Sequence, residues 1–119
     1  MAPKPVRQPC PLVKNPDDPC PHLLEGVINV IGDKWSILVV GTVGNFGILR
    51  FQELKNKLGG ISPKTLAEKL RRLEAAGLVH RRSYNEVPPR VEYSLSEDGE
   101  ALRAAMMPLL RWAAKADHA

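Results

Sequence analysis

The chain has 119 residues, of which 44% are apolar and 25% charged, with a formal net charge of +4. That is one small domain with a modest core, and the mild basic excess permits a nucleic-acid partner. No apolar run is long enough to cross a bilayer, the first residues lack a secretory h-region, and two cysteines make no disulfide framework, so a cytoplasmic protein with reduced thiols is expected.

Seven of the eleven prolines fall at or before Pro21. Residues 1–19 are therefore expected to form an extended or disordered arm, with an ordered domain over 20–116 and a short tail at 117–119. Pro21 suits the first turn of a helix running to about Ile31, with Leu23, Leu24, Val27, Ile28 and Ile31 at three- and four-residue spacing and Gly32 as its stop. Asp33 is placed to cap a second, nearly all-apolar helix from Lys34 to about Thr42. Gly41, Gly44 and Gly47 read as a loop, with no Gly-Lys-Ser/Thr to make it a phosphate cradle.

Arg50 opens a short amphipathic helix to Leu58, with Phe51, Leu54 and Leu58 inward. Gly59 and Gly60 supply a tight turn. Ser62 then caps a helix that starts at Pro63, buries Leu66, Leu70 and Leu73 beside Ile61, and stops at Gly77. Two short helices across a glycine turn make the helix-turn-helix pattern. Leu78–Tyr84 and Arg90–Leu95 predict a two-stranded ribbon with Pro88 and Pro89 at its tip. Ser96 caps a last helix with Glu97, Asp98 and Glu100 in its first turn, an apolar stripe of Leu102, Met106, Leu109 and Trp112, and Pro108 as a kink. The fold expected is mainly α with a small two-stranded β-wing, a winged helix-turn-helix.

Charge distribution supports a DNA partner. Residues 61–95 carry seven Lys/Arg against four Asp/Glu, while 96–119 carry three against four. Major-groove reading needs donors and acceptors near the N-terminal end of the inserted helix, and Ser62, Pro63, Lys64, Thr65, Glu68 and Lys69 are so placed. Arg72 and Arg50 are candidates for backbone phosphate, and Arg81 and Arg90 for phosphate or a narrow minor groove. Arg81 also reads as a structural partner of Glu92 across the strands, and each charge taken singly as ordinary solvated surface.

Cys20, before Pro21, occupies an N-cap position, where the helix dipole favours a thiolate; Asp17 and Asp18 oppose that shift. Cys10 is a resolving partner or has no role. Cys10, Cys20 and His22 fall short of a four-ligand zinc pattern, so no metal and no cofactor are expected. No nucleophile, base and carboxylate constellation is present, which argues against an enzyme. The competing readings are a winged domain for protein contact, or a thiol-based redox protein lacking DNA specificity.

The stretches Cys20-Pro21, Val30-Ile-Gly-Asp-Lys-Trp35, Arg50-Phe-Gln-Glu-Leu54, Ile61-Ser62, Leu73-Glu-Ala-Ala-Gly-Leu-Val79, Val87-Pro-Pro-Arg-Val-Glu-Tyr-Ser-Leu95 and Trp112 resemble those of HxlR-type winged-helix regulators, relatives of the MarR regulators. The resemblance covers about residues 20–113. It implies a homodimeric transcription factor on an operator in duplex DNA, with the Ser62 helix in the major groove and the Arg90 wing along a minor groove. It also implies a dimer built from the first and last helices, through Leu23, Val27, Leu102, Met106, Leu109 and Trp112, and oxidant or electrophile sensing at Cys20. Asp33 departs from the glycine usual before Lys34 in that family.

Overall fold

The computed structural model describes residues 11–115. Residues 11–19 hold turns without helix or strand, one of them closed by the Asp17 N–H donating to the Asn15 side chain at 3.0 Å. Cys10 and the 117–119 tail lie outside the described residues.

A single 3₁₀ turn, Pro21–Leu23, leads into α1 (Leu24–Ile31), so the first helix is shorter than its apolar spacing suggested. Asp33 caps α2 (Lys34–Phe46) by accepting the Ser36 N–H at 2.9 Å. The expected end near Thr42 is corrected: α2 runs on through Gly41 and Gly44 and stops at Gly47, whose φ of +86° suits glycine. A Cβ on Gly44 would meet the Arg103 side chain and Leu95, so this glycine is a point of close approach within a helix.

The ribbon is also corrected. β1 (Ile48–Arg50) makes a third strand, and the antiparallel order is β1-β3-β2, with β2 spanning Val79–Tyr84 and β3 Arg90–Leu95. Between β1 and β2 come α3 (Phe51–Leu58) and α4 (Pro63–Ala75). The last helix, α5 (Glu97–Lys115), contains Pro108 without ending there.

Val39, Val40 and Val43 of α2 meet Leu54 of α3, Leu66, Leu70 and Leu73 of α4, and Val79 of β2 in a core that excludes solvent. The sheet closes it with Leu49, Tyr93 and Leu95. Ser96 joins three elements. Its hydroxyl donates to the Gly77 carbonyl at 2.6 Å beyond α4 and accepts the Gly99 N–H at 2.9 Å in α5, and its N–H donates to the Leu78 carbonyl.

The apolar positions expected at a dimer contact divide. Leu102 and Met106 pack half-buried on the chain's own core, so they are core residues first. Leu23, Leu109 and Trp112 stay 61%, 63% and 58% exposed, and Val27 and Ile28 on α1 are exposed too. Between α1 and the start of α5 runs a groove of about 530 Å³ lined by Leu23, Val27, Ile31, Leu78 and Leu102.

Candidate nucleic-acid interface

The turn from α3 into α4 passes through Gly59 and Gly60, both at positive φ (63° and 78°). These angles are costly for residues with a Cβ, which is why two glycines stand there. Ser62 then accepts the Thr65 N–H at 3.0 Å and donates its hydroxyl to Thr65 Oγ1 at 2.9 Å. With Pro63 at the first helical position, the α4 N-terminus is fixed as the sequence predicted.

The side chains of α4 fall into stripes three and four residues apart. Leu66, Leu70 and Leu73 form the core stripe. On one flank Lys69 and Arg72 lean onto the corner between α1 and α2. Lys69 Nζ is 3.3 Å from Asp33 Oδ2, an Arg72 nitrogen 3.9 Å from the same oxygen, and Arg72 donates to the Asn29 carbonyl at 2.6 Å. These two were expected at DNA; the structure engages both with a carboxylate of their own chain, and Arg72 with the end of α1 as well.

Lys64, Glu68 and Arg71 remain on the stripe opposite the core, all exposed, beside exposed Pro63. Arg71 was not among the candidates that the sequence singled out. It and Arg81 line a hollow of about 440 Å³ between α4 and the ribbon, with Ala67, Leu70, Glu74 and Tyr93. No local sequence signal could have paired Arg71 with Arg81; the strand register does, by setting Arg81 opposite Tyr93. That register also corrects the idea of an Arg81–Glu92 pair. Arg82 stands opposite Glu92, and Arg81 donates to Ser83 Oγ at 3.2 Å.

Arg90 is more engaged than its place beside the wing tip suggested. It lies 3.2 Å from Glu86, 3.7 Å from Glu92 and 4.0 Å over the Tyr84 ring. Two carboxylates offset its charge and the ring holds its guanidinium plane. Arg50 caps α3 from an exposed position, its N–H donating to Glu53 Oε1 at 2.8 Å.

The Asp33 carboxyl is shifted by its neighbours. Burial raises its pKa, but the Ser36 N–H, the Ser36 hydroxyl and Lys69 outweigh that and hold the carboxyl below its ordinary value of 3.8.

Cys20 precedes a turn of only three residues and makes no side-chain cap bond. It is disulfide-bonded, which corrects the expectation of a thiolate at a helix N-terminus: the sulfur is already committed to a covalent bond. Among the described residues no group of three or more His, Cys, Asp or Glu could hold a metal ion, and no helix is long and apolar enough to cross a membrane.

A capped helix presenting Lys64, Glu68 and Arg71 after a glycine turn, flanked by a three-stranded wing, is a helix-turn-helix of the winged type. The family model for HxlR-like helix-turn-helix proteins matches residues 30–119. The chain belongs to the HxlR family. This is a family of helix-turn-helix transcriptional regulators and not of enzymes. The HxlR-family chain is 48% identical over 83 residues to the uncharacterized HTH-type transcriptional regulator YkvN of Bacillus subtilis (strain 168), covering 70% of each protein. Among solved structures it is similar to a regulator assigned to the MarR family from Enterococcus faecalis V583, with TM-score 0.75, 33% identity, and coverage of 89% of this chain and 96% of that one. It is also similar to the redox regulator HypR in its oxidized form, with TM-score 0.70, 38% identity, and coverage of 78% and 95%.

Proposed function

We propose that this HxlR-family regulator binds duplex DNA sequence-specifically, as a homodimer on a palindromic operator, with α4 in the major groove. One observation carries the reading. The stripe of α4 opposite the core, Lys64, Glu68 and Arg71, is exposed beside a rigidly capped N-terminus, with Arg81 facing Arg71 across the hollow. Lys64 and Thr65 read base edges, Arg71 and Arg81 hold phosphate, and Arg50 and Arg90 support the backbone contacts. The exposed apolar faces of α1 and α5, with Leu23, Val27, Leu109 and Trp112, form the two-fold contact. Such a dimer presents its recognition helices one or more DNA turns apart, about 34–36 Å per turn.

The test is a fluorescence-anisotropy titration with a duplex selected from genomic fragments and with a scrambled duplex, over a range of salt. The reading expects preference for the selected duplex, lost in the Lys64/Thr65/Arg71→Ala triple variant. Wild-type affinity in that variant would show that α4 is not the reading element.

The disulfide at Cys20 favours a second layer, redox control of DNA binding. A dithiol reductant supplies two electrons and two protons, the S–S bond breaks, and two thiols result while the reductant becomes a disulfide. The bond lies at the start of the segment leading into α1, so its state bears on the dimer face. The similarity to HypR points the same way.

A further inference from the structure

Asp33 collects contacts from two helices, α2 and α4. Its two oxygens accept the Ser36 N–H and the Ser36 hydroxyl at 2.9 and 3.0 Å, which starts α2. Its Oδ2 also faces Lys69 and Arg72 of α4, at 3.3 and 3.9 Å. Arg72 then reaches the Asn29 carbonyl in the last turn of α1. Carbonyls there lack intrahelical partners and sit at the negative end of the helix dipole, so a guanidinium serves both needs.

The two flanks of α4 are therefore unlike. Toward α1 and α2 it is held by charge-assisted bonds, while toward the ribbon it borders the hollow lined by Arg71 and Arg81. The leucine stripe beneath is apolar and non-directional, and it resists lifting of the helix more than rolling about its axis. A roll toward the hollow would turn Lys64 and Glu68 away from their outward direction. Of the contacts that oppose the roll, the two ion pairs meet on the Asp33 carboxylate, and the Arg72 bond to the Asn29 carbonyl lies beside them.

We infer that Asp33 is a positioning residue for DNA reading, setting the roll of α4 by holding Lys69 and Arg72 on the α1–α2 corner. The inference rests on the proposal that α4 reads DNA. It has a second consequence. Two cations on the reading helix are neutralised internally, so they add little to non-specific phosphate binding. Asp33 thus raises discrimination from both sides, by sharpening the specific geometry and by withholding charge from any sequence.

The experiment uses the full chain and the same selected and scrambled duplexes. Asp33→Asn keeps an N-cap acceptor, since Asn caps as well as Asp, and removes the charge facing Lys69 and Arg72. The ratio of selected to scrambled affinity is expected to fall about three- to tenfold, the range for one or two partly covered ion pairs. Scrambled-duplex affinity holds or rises. Lys69→Met and Arg72→Met lower the same ratio without changing the slope of log affinity against log salt, whereas loss of a direct phosphate contact shrinks that slope by about 0.9. Asp33→Asn combined with Lys69→Met is no worse than the more affected single variant.

A ratio within twofold of wild type in Asp33→Asn, or a reduced salt slope in both methionine variants, overturns the inference. Lys64→Ala separates the two levels: if it abolishes discrimination while Asp33→Asn leaves the ratio within twofold of wild type, positioning by Asp33 fails and the DNA reading stands. If the wild type shows no preference for any selected duplex, both fall. Should Asp33→Asn fold poorly by circular dichroism, the methionine variants decide the matter alone.

Discussion

Replacing Gly99 with alanine tests how α5 is seated against the wing. A Cβ there would lie 2.1 Å from the Leu78 carbonyl oxygen, 3.1 Å from its carbon and 3.2 Å from Leu95 Cβ. None of these is the free end of a flexible side chain, so the backbone of α5 or of the β2 lead-in must move. Helix propensity alone favours alanine by about 0.8–1 kcal/mol. Overpacking against fixed neighbours costs about 1–3 kcal/mol. The displaced Leu78 carbonyl also accepts the Ser96 N–H at 2.9 Å, a bond worth about 1 kcal/mol. The net expectation is a loss of about 1–3 kcal/mol, or roughly 5–20 °C in Tm for a domain of this size. Gly41→Ala is the control: it sits inside α2 with nothing within 4 Å of its Cβ position, so propensity should act alone and stabilise by about 1 kcal/mol. Urea unfolding followed by circular dichroism at fixed protein concentration measures both. A Gly99→Ala protein as stable as Gly41→Ala would refute the close-approach reasoning.

Asp33 makes an acid-side prediction. Its carboxyl is held below 3.8, so the unfolded chain binds the proton more readily; its stabilisation is complete above that value and is lost as pH falls through the folded value. Unfolding curves from pH 5 down to about pH 3 should therefore fall less steeply in Asp33→Asn than in wild type. Leu109→Ser and Trp112→Ser should shift sedimentation toward monomer with circular dichroism unchanged, and dimers persisting in the double variant would move the interface elsewhere. Leu102→Ala should instead cost about 2 kcal/mol or more of monomer stability, because Leu102 packs on the core of its own chain. In the Cys20→Ser protein, operator affinity should not respond to dithiothreitol, whereas wild-type affinity should; an equal response in both would place the redox signal, if any, at another group.

Helix α4 was legible because its signals are local: Ser62 and Pro63 at the start, three leucines at helical spacing, and Gly77 at φ +78° at the stop. β1 was not. Three residues carry no period, and Ile48–Arg50 is a strand because Leu49 pairs with Tyr93, more than forty positions away. Gly41 and Gly44 read as loop because isolated propensity disfavours glycine in helices, yet burial of Val40 and Val43 on the same helix overrides it. Within the site, the sequence identified which residues of α4 are polar but not which neighbour each polar flank meets. Lys69 and Arg72 differ from Lys64 and Arg71 only in facing Asp33, a residue thirty-six positions upstream of Lys69.

The hydroxyl of Ser96 has a mechanical consequence. It ties the stop of α4 to the start of α5 while the same residue's N–H bonds the lead-in to the wing, so one joint serves three levers. Neither helix can be re-aimed at that end without dragging the other. In the proposed dimer, a partner subunit that tilted α5 would therefore also swing the base of α4, and the two copies of α4 would be steered through a junction with no hinge of its own.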